Sequence, residues 1–96
     1  MMEKIGNVLS GLQYWYITQC NGEWEKRFGI RIGTIDNPGW SIRIDLMDTS
    51  LKNKKFEDLR IDTSDNNWVL LWIKDEIFQG GAAPQNLIDL INTFLT

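Results

Sequence analysis

A chain of 96 residues with a net charge of -3 and an isoelectric point near 4.8 can build one small domain around a single core, burying roughly two-thirds of the surface its unfolded form exposes. Ten Lys and Arg against 13 Asp and Glu argue against non-specific attraction to nucleic acid or anionic membrane and favour a basic partner. With no His and one Cys, the composition excludes Ser-His-Asp and Cys-His catalysis, His-containing zinc sites and any disulfide within the chain.

The first expected element is an amphipathic helix. Ile5, Val8, Leu9, Leu12, Trp15 and Tyr16 recur at intervals of three and four, while Asn7, Ser10, Gln13 and Thr18 fall elsewhere. Gly6 and Gly11 each weaken it by about 1 kcal/mol relative to Ala, so packing on the apolar face must hold it. Asn21-Gly22 is where it stops. No apolar run approaches the ~20 residues of a membrane span, and the start lacks the basic, apolar and small-residue segments of a signal peptide. The protein is therefore expected to be soluble and cytoplasmic, which a lone Cys20 fits.

The period then shortens to two. Phe28, Ile30 and Ile32 fall on one side of a strand, and Trp40, Ile42, Ile44 and Leu46 on one side of the next. Asn37-Pro38-Gly39 supplies the turn, with Pro38 presetting its φ and Gly39 accepting the positive φ of a type II turn. For both apolar rows to share a face, paired positions must have an even sum. A five-residue loop would put Arg31 opposite Arg43, and a three-residue loop would put it opposite Asp45. The opposite-charge pairing, favourable by a few tenths to ~1 kcal/mol, is the expected register.

Asp48-Thr49-Ser50 and the basic Lys52-Asn53-Lys54-Lys55 read as a helical turn or loop. A third strand is expected around 56–62, from Phe56, with Leu59 and Ile61 inward, and Ser64-Asp65-Asn66-Asn67 is a turn signal. The fourth strand, 68–73, is apolar on both faces, as a central strand usually is. Gly80-Gly81 breaks it from a last helix that Pro84 opens, with Leu87, Leu90, Ile91 and Phe94 at helical spacing. The expected fold is one α+β domain over residues 1–96: a two-layer, four-stranded antiparallel sheet with the N-terminal and C-terminal helices packed on one face.

Candidate chemistry is sparse. Cys20 sits at the C-terminal end of its helix, where the dipole disfavours an anion, and no Gly-rich anion-binding loop follows it, so it reads as a small buried or half-buried residue. Glu23, Glu25, Asp36, Asp45 and Asp48 gather around the first hairpin without EF-hand spacing or any other metal signature. They read as solvated side chains, and no cofactor or metal is called for. If Val69, Leu71 and Ile73 face the helices, Trp68, Leu70 and Trp72 lie on the open sheet face beside Arg31, Arg43, Asp45 and Arg60. That is the composition of an interaction surface, or of a face covered by a loop or dimer partner. Trp24 and Trp40 are divided between core and surface, with the core favoured because Trp40 aligns with the inward row.

Trp15-Tyr16, Cys20-Asn21-Gly22, Trp24-Glu25, Gly29-Ile30, the run from Thr34 through Asp36-Asn37-Pro38-Gly39-Trp40, Ile44-Asp45-Leu46 and Thr49 together resemble the immunity protein 53 family of bacterial polymorphic toxin systems. The similarity runs over nearly the whole chain. Where that family commonly has His after Trp-Glu, this chain has Lys26, so any role of that imidazole is absent. The resemblance implies a protein made beside a toxin that binds it and spares the producing cell; sulfurtransferase-like labels also occur in the family, but no thiol-activating loop supports one here.

The expectation is a non-catalytic, cytoplasmic toxin-binding protein. Its partner is a cognate toxin domain, with no nucleic acid and no membrane. Glu23, Glu25, Asp36 and Asp45 would meet a basic groove, Asn37 belongs to the same hairpin, and Trp24, Trp40, Trp68 and Trp72 would supply apolar anchors. Trp24-Glu25 and the run Asp36-Asn37-Pro38-Gly39-Trp40 could instead be fold determinants, with Pro38 and Gly39 shaping the turn, Trp40 filling the core and specificity in 52–58. The rivals are a thiol-dependent sulfurtransferase using Cys20 and a homodimer formed through the open sheet face.

Overall fold

The computed structural model describes residues 2–55 and 57–96, the side chains of residues 2–6 excepted. The expected roles of Ile5 in the apolar helix face and of Phe56 at the start of a strand lie outside the described residues.

The first helix, α1 (Met2–Gln19), ends just before Asn21-Gly22, as expected, with Gly22 at φ +92°. Val8 and Leu12 are buried and Trp15 packs against the core, but Leu9 and Tyr16 of the expected face are exposed. Gly11 allows close helix packing, because a Cβ there would lie 3.0 Å from Leu95 Cδ1. A short second helix, α2 (Trp24–Arg27), comes next, and Phe28 caps its C-terminus and is not the first residue of the expected strand.

Strand β1 (Ile30–Ile35) and strand β2 (Gly39–Asp45) form the expected hairpin, and the even-sum rule holds. The expected register does not. Arg31 lies opposite Arg43 and Ile35 opposite Gly39, so the loop has the expected three residues but spans 36–38, one position earlier than Asn37-Pro38-Gly39. The reason lies at Asp45, whose Oδ2 accepts the Gly29 N–H at 2.9 Å, so its carboxylate secures the entrance to β1 and does not face Arg31. The type II turn is also corrected. The Asn37–Pro38 peptide is cis, and Gly39 is not in the left-handed region. Gly39 is instead required by crowding: a Cβ would lie 2.5 Å from the Ala82 carbonyl oxygen and 3.0 Å from the Trp68 ring.

Residues 47–53 make turns, in keeping with the expected helical turn or loop. Strands β3 (Leu59–Ser64) and β4 (Asn67–Lys74) then form a second hairpin with a bulge between Asp62 and Ser64. The sheet has five strands and not four. Strand β5 (Ile77–Ala82), whose Gly80-Gly81 was expected to break the chain, is the central strand in the order β1-β2-β5-β4-β3. All neighbours are antiparallel. The Asp75 and Glu76 turn joins β4 to β5 with φ of 55° and 63°, the two-residue connection that matches sheet twist. Gly80 admits α3 against the sheet, since a Cβ would lie 2.8 Å from both the Leu70 carbonyl oxygen and Leu90 Cδ1.

The last helix, α3 (Leu87–Leu95), begins after Asn86, so Pro84 precedes it and does not open it. The Pro84 carbonyl instead accepts the Trp40 indole N–H at 3.0 Å. The core lies on one face of the sheet, where Ile42, Ile44, Val69, Leu71 and Phe78 meet Val8 and Leu12 of α1 and Leu90, Ile91 and Phe94 of α3. Edge-to-face aromatic contacts run through it from Tyr16 to Trp24, Trp15, Phe94 and Phe78. Such pairs each contribute roughly 0.5–1.5 kcal/mol beyond area burial.

Candidate functional site

The sites expected from sequence separate into two groups, one bound up in the fold and one on the free face of the sheet. The first group surrounds α2. Asn21 Oδ1 accepts the N–H groups of Glu23 and Trp24, both at 3.0 Å, while Glu25 accepts those of Asn21 at 2.9 Å and Gly22 at 2.8 Å. This reciprocal clasp satisfies the N–H groups of the loop leading into α2 and the first N–H of the helix itself. Its own backbone N–H holds the Glu25 carboxyl below the ordinary 4.5, with the Asn21 and Gly22 N–H groups adding to the effect and burial opposing it.

Trp24 is 2 % exposed and its indole N–H donates to the Met47 carbonyl at 3.0 Å. Its side chain therefore ties α2 to the end of β2 and offers a partner no surface. Thr49 Oγ1 donates to the Leu46 carbonyl at 2.7 Å, closing the same junction. Cys20 is half-buried, and its thiol donates to the Tyr16 carbonyl at 3.3 Å. The neighbouring sulfur raises the Tyr16 phenol above its ordinary value. Glu23 is exposed in the loop before α2. Among the described residues, no three His, Cys, Asp or Glu side chains gather as a metal site.

The second group occupies the sheet face opposite the helices. Strand alternation and the observed register put Arg31, Gly33 and Ile35 of β1, Ser41, Arg43 and Asp45 of β2, Gln79 and Gly81 of β5, Trp68, Leu70 and Trp72 of β4, and Arg60 and Asp62 of β3 on it. Trp68 and Trp72 are thus together, as expected, while Trp40 lies on the helix side and is half-buried. Asp36 and Asn37 are exposed at the hairpin tip, at the edge of this face.

Gly33, Ser41 and Gly81 are cross-strand neighbours in one row, with Leu70 next. Three small residues in line lower the middle of the face. Trp68 lies over the glycines, its ring atoms 3.0 Å from a Cβ position at Gly39 and 3.4 Å from one at Gly81. The result is a trough of 780 Å³ bounded by Trp68, Leu70, Trp72, Ile35 and Pro38, with Asp62 and Asp65 at one end. A second hollow of 480 Å³ continues past Trp72 to Arg31 and Arg43. Trp72 is 39 % exposed. No helix crosses this face among the described residues.

The sequence signalled the Trp68 and Trp72 pair through alternation. It gave no sign of the trough, because the glycine of β5 that deepens it reads as a chain break. Arg31 and Arg43 were placed on the face but not opposite one another.

A family model described as immunity protein 53 matches residues 9–96. No curated protein and no solved structure matches the chain.

Proposed function

The chain belongs to the immunity protein 53 family, and we propose that it is a non-catalytic immunity protein that binds and neutralises a cognate bacterial polymorphic toxin in the cytoplasm of the cell that makes both. The observation that carries the docking surface is the uncovered trough between Trp68 and Trp72 over a floor of small residues. Trp72 is exposed and Trp68 half-buried; aromatic side chains beside a concave floor are what interfaces use as anchors, and truncating such anchors costs ~2 kcal/mol or more of binding. Asp36 and Asn37 at the hairpin tip and Asp62 and Asp65 at the trough end form a polar, acidic rim that suits a basic toxin surface.

Glu23 remains a candidate rim contact, on the side of the molecule that carries α2. Glu25 and Asp45 already accept backbone N–H groups, so any contact they make to a toxin is additional to that role. Thiol chemistry draws no comparable support, since the Cys20 thiol is half-buried and directed to the carbonyl of its own helix. Among the described residues, no helix is long and apolar enough to cross a membrane.

Co-expression with the toxin domain encoded by the neighbouring gene tests the proposal. The wild type is expected to restore growth, and W72A to restore it poorly while accumulating as folded protein. Growth that stays arrested despite abundant folded wild type would contradict it.

A further inference from the structure

Arg31 and Arg43 sit directly opposite each other on β1 and β2, on the open face, and both are exposed. Like charges in that relation are destabilising. A slip of two residues would pair Arg31 with Asp45 and still keep Ile30, Ile32, Trp40, Ile42 and Ile44 on the helix side. The fold does not adopt it. Among the described residues neither guanidinium has a hydrogen-bonded or ion-paired carboxylate. Gln79 follows Arg43 in the register, and Trp72 follows Gln79. One row across the face therefore presents two guanidinium groups, a primary amide and a 39 % exposed indole along the 480 Å³ hollow.

We propose that this row is a receptor for a single carboxylate side chain, Asp or Glu, carried by the segment of the toxin that docks on the open face; the inference rests on the reading of that face given above. Directly opposed residues have Cβ atoms about 5 Å apart, so both planar donor groups reach one carboxylate, a geometry that suits Arg better than Lys. Gln79, next in the row, supplies a further N–H donor, and Trp72 closes that end of the hollow. Asp45 and Asp62 on the same face, with a net charge of -3, repel a polyanion, so the row admits an isolated carboxylate and not a nucleic-acid strand.

The test has two arms. In the first, the intact protein is titrated with Nα-acetyl-glutamate methylamide and with its neutral counterpart, Nα-acetyl-glutamine methylamide, while the Arg Nε–H and Trp indole NMR signals are followed. Shifts confined to Arg31, Arg43 and Trp72 are expected with the glutamate compound, at least fivefold smaller with the glutamine compound and in R43Q. Equal shifts from both compounds, shifts as large at Arg27 and Arg60, or tighter binding of an eight-residue oligothymidylate at the same row would overturn the inference.

In the second arm, R31Q and R43Q are compared with wild type for urea midpoint and for affinity toward the neighbouring gene's toxin domain. Midpoints no lower than wild type, because a repulsion is relieved, together with affinity at least tenfold weaker, are expected. Unchanged affinity would overturn the receptor and leave the docking face standing. A wild type that fails to bind the toxin would overturn the docking face, and the glutamate titration then decides the receptor by itself.

Discussion

Gly39 and Gly29 form a matched pair at the two ends of the first hairpin. A Cβ at Gly39 meets the Ala82 carbonyl oxygen at 2.5 Å, whereas at Gly29 nothing lies within 4 Å. G39A is expected to destabilise by about 3 kcal/mol, the upper range for forced overpacking, and G29A by less than about 0.5 kcal/mol; urea unfolding of the two variants checks this. The Glu25 clasp gives a pH signature. Its carboxyl is held below the ordinary 4.5, so the charged form favours the folded state: the contribution is complete above that ordinary value and is lost as pH falls through the lower folded one. E25Q should therefore unfold at lower urea than wild type at pH 7, with the difference vanishing at pH 2. At this scale the sequence showed which residues matter before it showed why: Trp24, Glu25 and Asp45 stood out, but their use of backbone partners depends on chain segments that meet only in the folded protein.

Strand β5 is where local pattern and tertiary structure part. Gly80-Gly81 carries a turn signal, yet both glycines lie in the central strand, where Gly80 accommodates Leu90 of α3 and Gly81 lies beneath Trp68. The preceding hairpin turn was equally hidden, because Asp75-Glu76 lacks the Asn-Gly chemistry that two left-handed residues prefer. E76G is expected to stabilise by about 1 kcal/mol through relief of that φ, and Glu76 Oε2 is buried without a hydrogen-bond partner, so its removal leaves no new orphan. A melting temperature several degrees higher checks it. Elements with an unbroken period were legible, including α1, the first hairpin's faces and the Leu/Phe-rich α3. Phe94 of α3 touches Trp15 and Phe78 at centroid distances of 5.0 Å each, so F94A should cost about 3–5 kcal/mol, a large share of the ~5–14 kcal/mol available to a domain of this size.

Among the described residues the sheet has one face covered by helices and one without a helix over it, and the second is the face we propose for the toxin. A competing apolar surface exists on the outer side of α1, where Tyr14 is 71 % and Ile17 65 % exposed. It is convex helix surface, whereas the sheet face has a trough, two Trp side chains and charged groups of both signs at its ends. Alternation in the sequence was enough to place Trp68 and Trp72 together, while the hollow between them required knowledge of which strand lies in the centre. The most direct measurement is the affinity of W72A and of Y14A for the neighbouring gene's toxin domain, with each variant first shown to unfold cooperatively. Binding weakened at least thirtyfold in W72A and unchanged in Y14A is the expected result; binding lost in Y14A and retained in W72A would contradict it.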